Sequence, residues 1–266
     1  MKIQLLSDLH LEVQPGFTLR PAPDADLLVL AGDVGSYQYG SHLPGADFGL
    51  ERFSPLRGWP VPVLYVPGNH DYDAVEFDAT HARLRETCER LGITWLERET
   101  LVIGGKRFIG TTLWSDFDAL AVQARPAQQL KAREKAFRAA NWYLRTTGTT
   151  RHGQPWLADA VREQALVCQQ WLRNTLAVPF DGDTVVVTHF APSLHSADPR
   201  YGMVPGTAGF CNALDDLLPL ARVWLHGHLH CPSNYMHRGC RVVANPLGYA
   251  GKGEQLGFRE RFCVEV

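Results

Sequence analysis

Val61-Pro-Val-Leu-Tyr-Val-Pro-Gly-Asn-His-Asp71 reads as a buried strand that runs into a tight Pro-Gly turn and presents three polar residues together. The apolar run of Val61, Val63, Leu64 and Val66 suits the interior of a mostly parallel sheet. Pro67 ends the strand and Gly68 permits a sharp bend, so Asn69 and His70 arrive at its C-terminal edge. In open α/β sheets that edge is where ligands bind.

Other stretches repeat the habit. Lys2 to Ser7 is an apolar strand that breaks at Asp8-Leu9-His10, and extended-chain alternation predicts Asp8 and His10 facing one site. Leu27 to Ala31 is a second buried strand and empties into Gly32-Asp33-Val-Gly35. The β-branched run after Asp183 ends on His189, and Ala221 to Leu225 feeds His226-Gly-His-Leu-His230.

Between these, residues 36–60 read as loop with one helical turn around Phe48 to Arg52. Ala79 to Leu91 reads as a helix stopped by Gly92. Ile93 to Leu96, Thr100 to Ile103 and Arg107 to Leu113 read as short strands, the last two joined at Gly104-Gly105. Residues 115–180 differ. Gln128 to Arg145 is helical with Leu130, Phe137 and Leu144 one heptad apart, and Leu157, Val161, Ala165, Cys168, Leu172 and Leu176 form a second stripe. We read them as a helical insertion packed on one side of a single domain spanning residues 1–266, with aromatic residues used for packing. The 146–153 link reads as a flexible connector. Thr207 to Leu218 is expected as a short helix, and Tyr235-Met236, Arg241 to Ala244 and Phe258 to Val266 as strands at a sheet edge.

The net charge of −2 gives no basic field, which argues against long nucleic acid as a partner. Six scattered cysteines with no C-x-x-C signal neither a zinc knuckle nor a disulfide framework. An acidic residue at position 8 interrupts any signal-peptide apolar region, and no run is long enough to span a bilayer. The expectation is a cytoplasmic globular protein without a membrane partner.

The strand-end residues are Asp8, His10, Asp33, Asn69, His70, His189, His228 and His230. Carboxylates, an amide oxygen and imidazoles make mixed shells for transition metals, unlike the all-oxygen shells of calcium. They are too many for one ion and enough for two, which at about 3.5–4 Å apart share a bridging carboxylate. Two divalent ions outweigh two carboxylates, so the pocket favours a phosphate ester. No serine or cysteine stands in a nucleophile motif, which fits hydrolysis by metal hydroxide. Taken singly, each residue has a plain structural role: Asp8 could cap a turn, Asp33 could serve an Asx turn, and a lone His189 is more often a hydrogen-bonded core histidine. Five polar interruptions of buried strands, unpaired, would cost several kcal/mol, roughly. For His42, His81, His152, His195, His226 and His237 the structural reading stands.

Asp8-Leu-His10, Gly32-Asp33, Gly68-Asn-His-Asp71, His189 and Gly227-His-Leu-His230, in this order, resemble the motifs of the calcineurin-like metallophosphoesterases, most closely those of small bacterial stand-alone enzymes. The resemblance implies an α/β fold of two central mixed β-sheets between helices. It implies two divalent ions (manganese, iron or zinc), with Asp8, His10 and His230 on one, Asn69, His189 and His228 on the other, and Asp33 bridging. It further implies that His70 contacts the phosphate and assists the leaving group, with Asp71 placed to orient it. Departures are informative. Asp33 is followed by Val-Gly-Ser-Tyr-Gln-Tyr, so the Asp-Arg-Gly phosphate-binding arginine of protein phosphatases is missing, and a second histidine after His189 is replaced by Phe190. Tyr72, His195 and Arg200 are candidate substrate contacts, and the Asn245 to Tyr249 loop could reach the site. The expected function is dimetal hydrolysis of a small phosphomonoester or phosphodiester. A cyclic-nucleotide phosphodiesterase or nuclease on the same site is the alternative, and a non-catalytic scaffold stands last.

Overall fold

The computed structural model describes all 266 residues. Thirteen strands and three long helices follow in chain order. They are β1 Lys2–Leu6, β2 Leu27–Ala31, β3 Val63–Val66, α1 Phe77–Leu91, β4 Thr94–Trp95, β5 Glu99–Ile103, β6 Lys106–Thr111, α2 Pro126–Thr147, β7 Thr150–Arg151, β8 Gln154–Pro155, α3 Ala158–Ala177, β9 Thr184–Thr188, β10 Val223–His226, β11 Ser233–His237, β12 Cys240–Ala244 and β13 Cys263–Glu265.

Two mixed sheets form the centre, with strand orders β13-β1-β2-β3-β4 and β11-β12-β10-β9-β6-β5. β1 to β4 are parallel, as are β6, β9, β10 and β12, while β13, β5 and β11 run antiparallel at edges. Period-two alternation explains the layering. Ile3, Leu5, Leu27, Val29, Leu64 and Val66 of one sheet and Phe108, Val185, Val187, Val223, Leu225 and Val243 of the other form one apolar cluster between the sheets. Their alternate neighbours, such as Leu28, Leu30, Tyr65, Ile109, Val186 and Trp224, join the cluster that includes α1 and α3 residues Leu84, Leu91, Val161, Ala165 and Leu172. Both faces of each sheet are therefore covered, which is why the central strands are mostly apolar, with Gln4 of β1 a buried exception bonded to Arg20 O and Glu260 O. No helix is long and apolar enough to cross a membrane.

The helix signals hold. α1 starts where the Glu76 side chain accepts from the Ala79 N–H and stops at Gly92 with φ 68°. α2 starts at Pro126 and extends two residues beyond Arg145. Three expectations are corrected. The 146–153 link is ordered into the β7–β8 hairpin, with Thr150 bridged to Glu76. Thr207 to Leu218 is no helix, only 3-10 turns at Pro205–Gly209 and Leu218–Leu220. The buried Asn212 side chain donates to Trp114 O and its backbone pairs with Ala191, and these local bonds displace helical ones. The heptad stripe of α2 is used at two of its three positions, since Phe137, edge-on to Phe117, and Leu144 pack against the core while Leu130 is exposed.

Tyr72 and His81 belong to the core. The Tyr72 hydroxyl bonds His81 Nδ1 at 2.9 Å, amid Phe77, Trp95 and Trp114. Burial lowers the His81 pKa from 6.5 to about 4, so the folded chain holds it neutral where the unfolded chain protonates it. That contribution to stability is present above pH 6.5 and is lost as pH falls toward about 4. The midpoint of urea unfolding is expected to decline less steeply over this window in His81→Gln, which keeps an acceptor for Tyr72 and cannot titrate.

Candidate metal centre

Parallel strands end on the same side of a sheet, and that topology gathers the polar residues. Asp8 and His10 follow β1, Asp33 follows β2, Asn69 and His70 follow β3, His189 follows β9, and His228 and His230 follow β10. The strands do not themselves carry the ligands. Asp8, His10, Asp33, His228 and His230 all take left-handed backbone conformations, with φ between 45° and 72°. Asp8 and His10 therefore converge by two tight turns, not by the extended alternation expected from spacing. Left-handed residues of this kind cost about 1–3 kcal/mol each and persist where surrounding structure enforces them. Close approach by glycine is part of that enforcement. A Cβ on Gly68 would lie 2.1 Å from Asp33 Oδ1, and one on Gly227 would lie 2.7 Å from Asp8 Oδ2.

The side chains form two joined groups. Asp8, His10, Asp33 and His230 offer ligand atoms all within 4.8 Å of one another, and Asp33, His189 and His228 form a second such set. Asp33 is common to both. Asn69 Oδ1 lies 3.1 Å from His189 Nε2, beside the second set. Every one of the seven residues expected as a ligand is brought to this place.

The donor chemistry fits cations. Asp33 Oδ2 and His228 Nε2 are buried without a hydrogen-bond partner. His10 Nε2 and His230 Nε2 face each other at 3.1 Å, while their Nδ1 atoms are tied to Glu12 at 2.9 Å and Glu254 at 2.6 Å. His189 Nδ1 donates to Ala31 O at 2.8 Å. Backing each imidazole on the outer nitrogen aims the inner lone pair at the site. Glu12 and Glu254 went unread in the sequence. Glu12 sits two residues beyond His10, but Glu254 is far from His230 in the chain, and only folding joins them.

Carboxylates and imidazoles in the cluster stabilise one another's charges. Burial would raise the Asp8 carboxyl, yet the hydrogen bond and charge of His230 bring it down to about 2. Burial also opposes ionisation of Asp33, and the His189 and His70 charges hold it well below the usual carboxylate range. Burial and the neighbouring His189 keep His228 neutral, as a lone-pair donor must be.

A family model for the calcineurin-like phosphoesterases matches residues 1–232. The chain belongs to that family. Among individual proteins, the uncharacterized protein L509 of Acanthamoeba polyphaga mimivirus is 24% identical over 277 residues, covering 93% of this chain and 91% of its own. The crystal structure of phosphopantetheinyl hydrolase (PptH) from Mycobacterium tuberculosis superposes with a TM-score of 0.69 at 19% identity, over 100% of this chain and 95% of that one. The protein is thus a metal-dependent phosphoesterase.

In this phosphoesterase, His70 begins a short 3-10 turn, His70–Tyr72, just beyond β3. Its Nδ1 is 2.5 Å from Asp73 Oδ2, and its Nε2 is 3.0 Å from the Tyr143 hydroxyl of α2. The orienting carboxylate is therefore Asp73 and not Asp71. In a 3-10 turn side chains three apart eclipse, which pairs position 70 with 73. Asp71 points away from the ring and accepts from the N–H groups of Gly68 at 2.7 Å and Asp33 at 3.1 Å, clamping two ligand loops together. Burial and the Asp33 charge push it up to about 7. Burial disfavours the imidazolium of His70, but the Asp73 charge lifts its pKa well above the ordinary value.

The expected substrate contacts are not where spacing put them. Beside the two donor sets lies a pocket of about 340 Å³ lined by Tyr143, Tyr201, Val204, Phe210, Tyr249 and Lys252, among others. Tyr72 is 1% exposed and faces His81. Arg200 folds back on Asp198, with three bonds of 2.6–3.1 Å, and His195 pairs with Asp215 instead. None of the three lines the pocket. The Asn245 to Tyr249 loop does reach it, and the Tyr249 ring lies 4.2 Å from that of His10. Phe190 stacks on His228 at 3.9 Å, so the residue standing for a second histidine packs a ligand.

Gly68→Ala is expected to displace the Asp33 carboxylate and weaken metal binding by roughly 10–100-fold, the usual effect of disturbing a ligand's support. Titration of the full-length variant with manganese, followed calorimetrically, checks this.

Proposed function

We propose that the protein hydrolyses a small organic phosphate ester using two divalent transition-metal ions, manganese, iron or zinc. Asp8, His10 and His230 would hold one ion, Asn69, His189 and His228 the other, with Asp33 between them. The observation that carries the reading is the double membership of Asp33 in both donor sets, with a buried oxygen left unpartnered. When bound, such ions acidify water and neutralise charge on phosphoryl oxygens.

The chain's own residues do the remainder. His70 Nε2 stands at the pocket and hands a proton to the departing ester oxygen, while Asp73 fixes the ring and favours its charged form. Tyr143 holds that Nε2 until the leaving group replaces it. Tyr201, Val204, Phe210 and Tyr249 give the pocket an apolar wall that suits a leaving group with an organic arm, and Lys252 adds a cation. A cyclic nucleotide is the second reading, supported by the aromatic rings available for stacking a base. The fold then serves as one metallophosphoesterase domain over residues 1–266 with a helical insertion at about 115–180. Six free cysteines, four of them buried, suit a reducing cytoplasmic setting.

Exhaustive chelation is expected to abolish hydrolysis of p-nitrophenyl phosphate and bis-p-nitrophenyl phosphate, with recovery on adding manganese, iron or zinc. Failure of every metal to restore turnover would refute the proposal. A panel including 2′,3′-cyclic nucleotides and a phosphopantetheinyl ester separates the two substrate readings.

Leaving-group dependence tests the proton donor. Asp73→Asn should reduce kcat by about 10²-fold for alkyl phosphates, whose leaving oxygen needs a proton. The loss should be much smaller for nitrophenyl esters, and equal losses on both would remove His70 from that role.

A further inference from the structure

A third group of donors shares no residue with the catalytic sets. It is built by His195, in the 3-10 turn Leu194–Ser196 after β9, by Asp215, in the loop before the turn Leu218–Leu220, and by His237, at the end of edge strand β11. His195 Nε2 is 3.7 Å from Asp215 Oδ1, and His237 Nε2 is 3.8 Å from the same oxygen. Both separations are too long for hydrogen bonds, which end near ~3.2 Å. They are close to the spacing of about 3.3–3.6 Å between ligand atoms of a tetrahedral ion with bonds of about 2.0–2.2 Å. All three ligand atoms lie within 4.8 Å of one another.

Two further observations bear on a ligand. His237 Nε2 is buried and has no hydrogen-bond partner, a cost that a metal bond would remove. The site is also pre-shaped: Ser193 Oγ donates to Asp215 Oδ1 at 2.8 Å, and Ser196 Oγ bonds His226 Nε2 at 3.0 Å and Tyr235 Oη at 2.9 Å. The residues flanking His195 are thus fixed to the loop of Asp215 and to the strand of His237. The His195 side chain is 60% exposed, so solvent and ions reach the group directly.

We infer that His195, Asp215 and His237 form a third divalent-metal site, with the His₂-carboxylate chemistry that suits zinc. A water completes the coordination from the solvent side. Its consequence is structural: one ion ties the loop behind His189 and the 3-10 segment to the otherwise unpaired edge of the second sheet.

The test uses the full chain, stripped of metal, loaded with zinc alone, desalted and counted by plasma mass spectrometry. His195→Ala, a change at an exposed position, is expected to carry one zinc fewer per chain than the parent, and His195→Cys, which retains a zinc ligand, to recover it. The same loss is expected for Asp215→Asn, together with a smaller zinc-induced rise in Tm. Asp33→Asn should lower the count without affecting the His195-dependent ion, so the outcome is separable from the dimetal reading. Equal zinc counts in the parent, His195→Ala and Asp215→Asn would overturn the inference.

Discussion

One oxygen organises this molecule. Asp33 Oδ2 is buried, has no hydrogen-bond partner, and belongs to a carboxylate shared by two donor sets. An ionised carboxylate in such a place needs positive charge beside it, and the imidazoles of His189, with Nε2 at 3.1 Å from this oxygen, and of His70 provide it. Two cations would take over that role, and would also engage the inward nitrogens of His10, His230, His189 and His228. The other Asp33 oxygen is committed to the His70 N–H at 2.8 Å. The same residue thereby sets the backbone of the turn that carries His70.

The two-sheet architecture follows from the need to bring such residues together. Parallel strands deliver their C-terminal ends to one edge, and here β1, β2 and β3 of one sheet meet β9 and β10 of the other. The space between the sheets is filled by apolar side chains of the central strands, and the Asp, His and Asn residues of the donor sets all follow the strand ends. The left-handed residues crowd those ends for the same reason. The chain must turn out of a strand within two residues while keeping a functional side chain inward, and a positive φ accomplishes it. Asp71 holds the loops of Asp33 and Gly68 together from behind, which makes a buried, raised-pKa carboxyl part of the frame rather than of the chemistry.

Much of this was legible before folding. Apolar strands followed at once by Asp, His or Asn identify the ligands, because each such interruption would otherwise be an unpaired buried group. What the pattern could not give was partners across the chain. His230 and Glu254 meet through a 3-10 segment with no periodic signature, and His70 and Tyr143 meet through an insertion whose aromatic residues read as packing. Asp73 was within reach, since a three-residue offset is the natural pairing in a 3-10 turn, but choosing it over Asp71 required knowing that the turn was 3-10. Tyr72 and Arg200 were misplaced for a common reason. Proximity in sequence to a ligand says little about direction, and one side chain turned into the aromatic core while the other closed on Asp198.

The reaction class and the substrate are therefore encoded in different parts of the chain. The groups of the two donor sets come from strand ends, where parallel topology dictates their positions and a short motif records them. The groups that line the neighbouring pocket come from α2, from the 198–210 loop and from the 249–254 turn. Those segments are held by local bonds such as Arg200 to Asp198 and by ion pairs such as Arg133 and Arg162 on Asp118. Nothing in the sheets constrains their composition. α2 packs Phe137, Ala140 and Leu144 against the core and places Tyr143 against His70 Nε2.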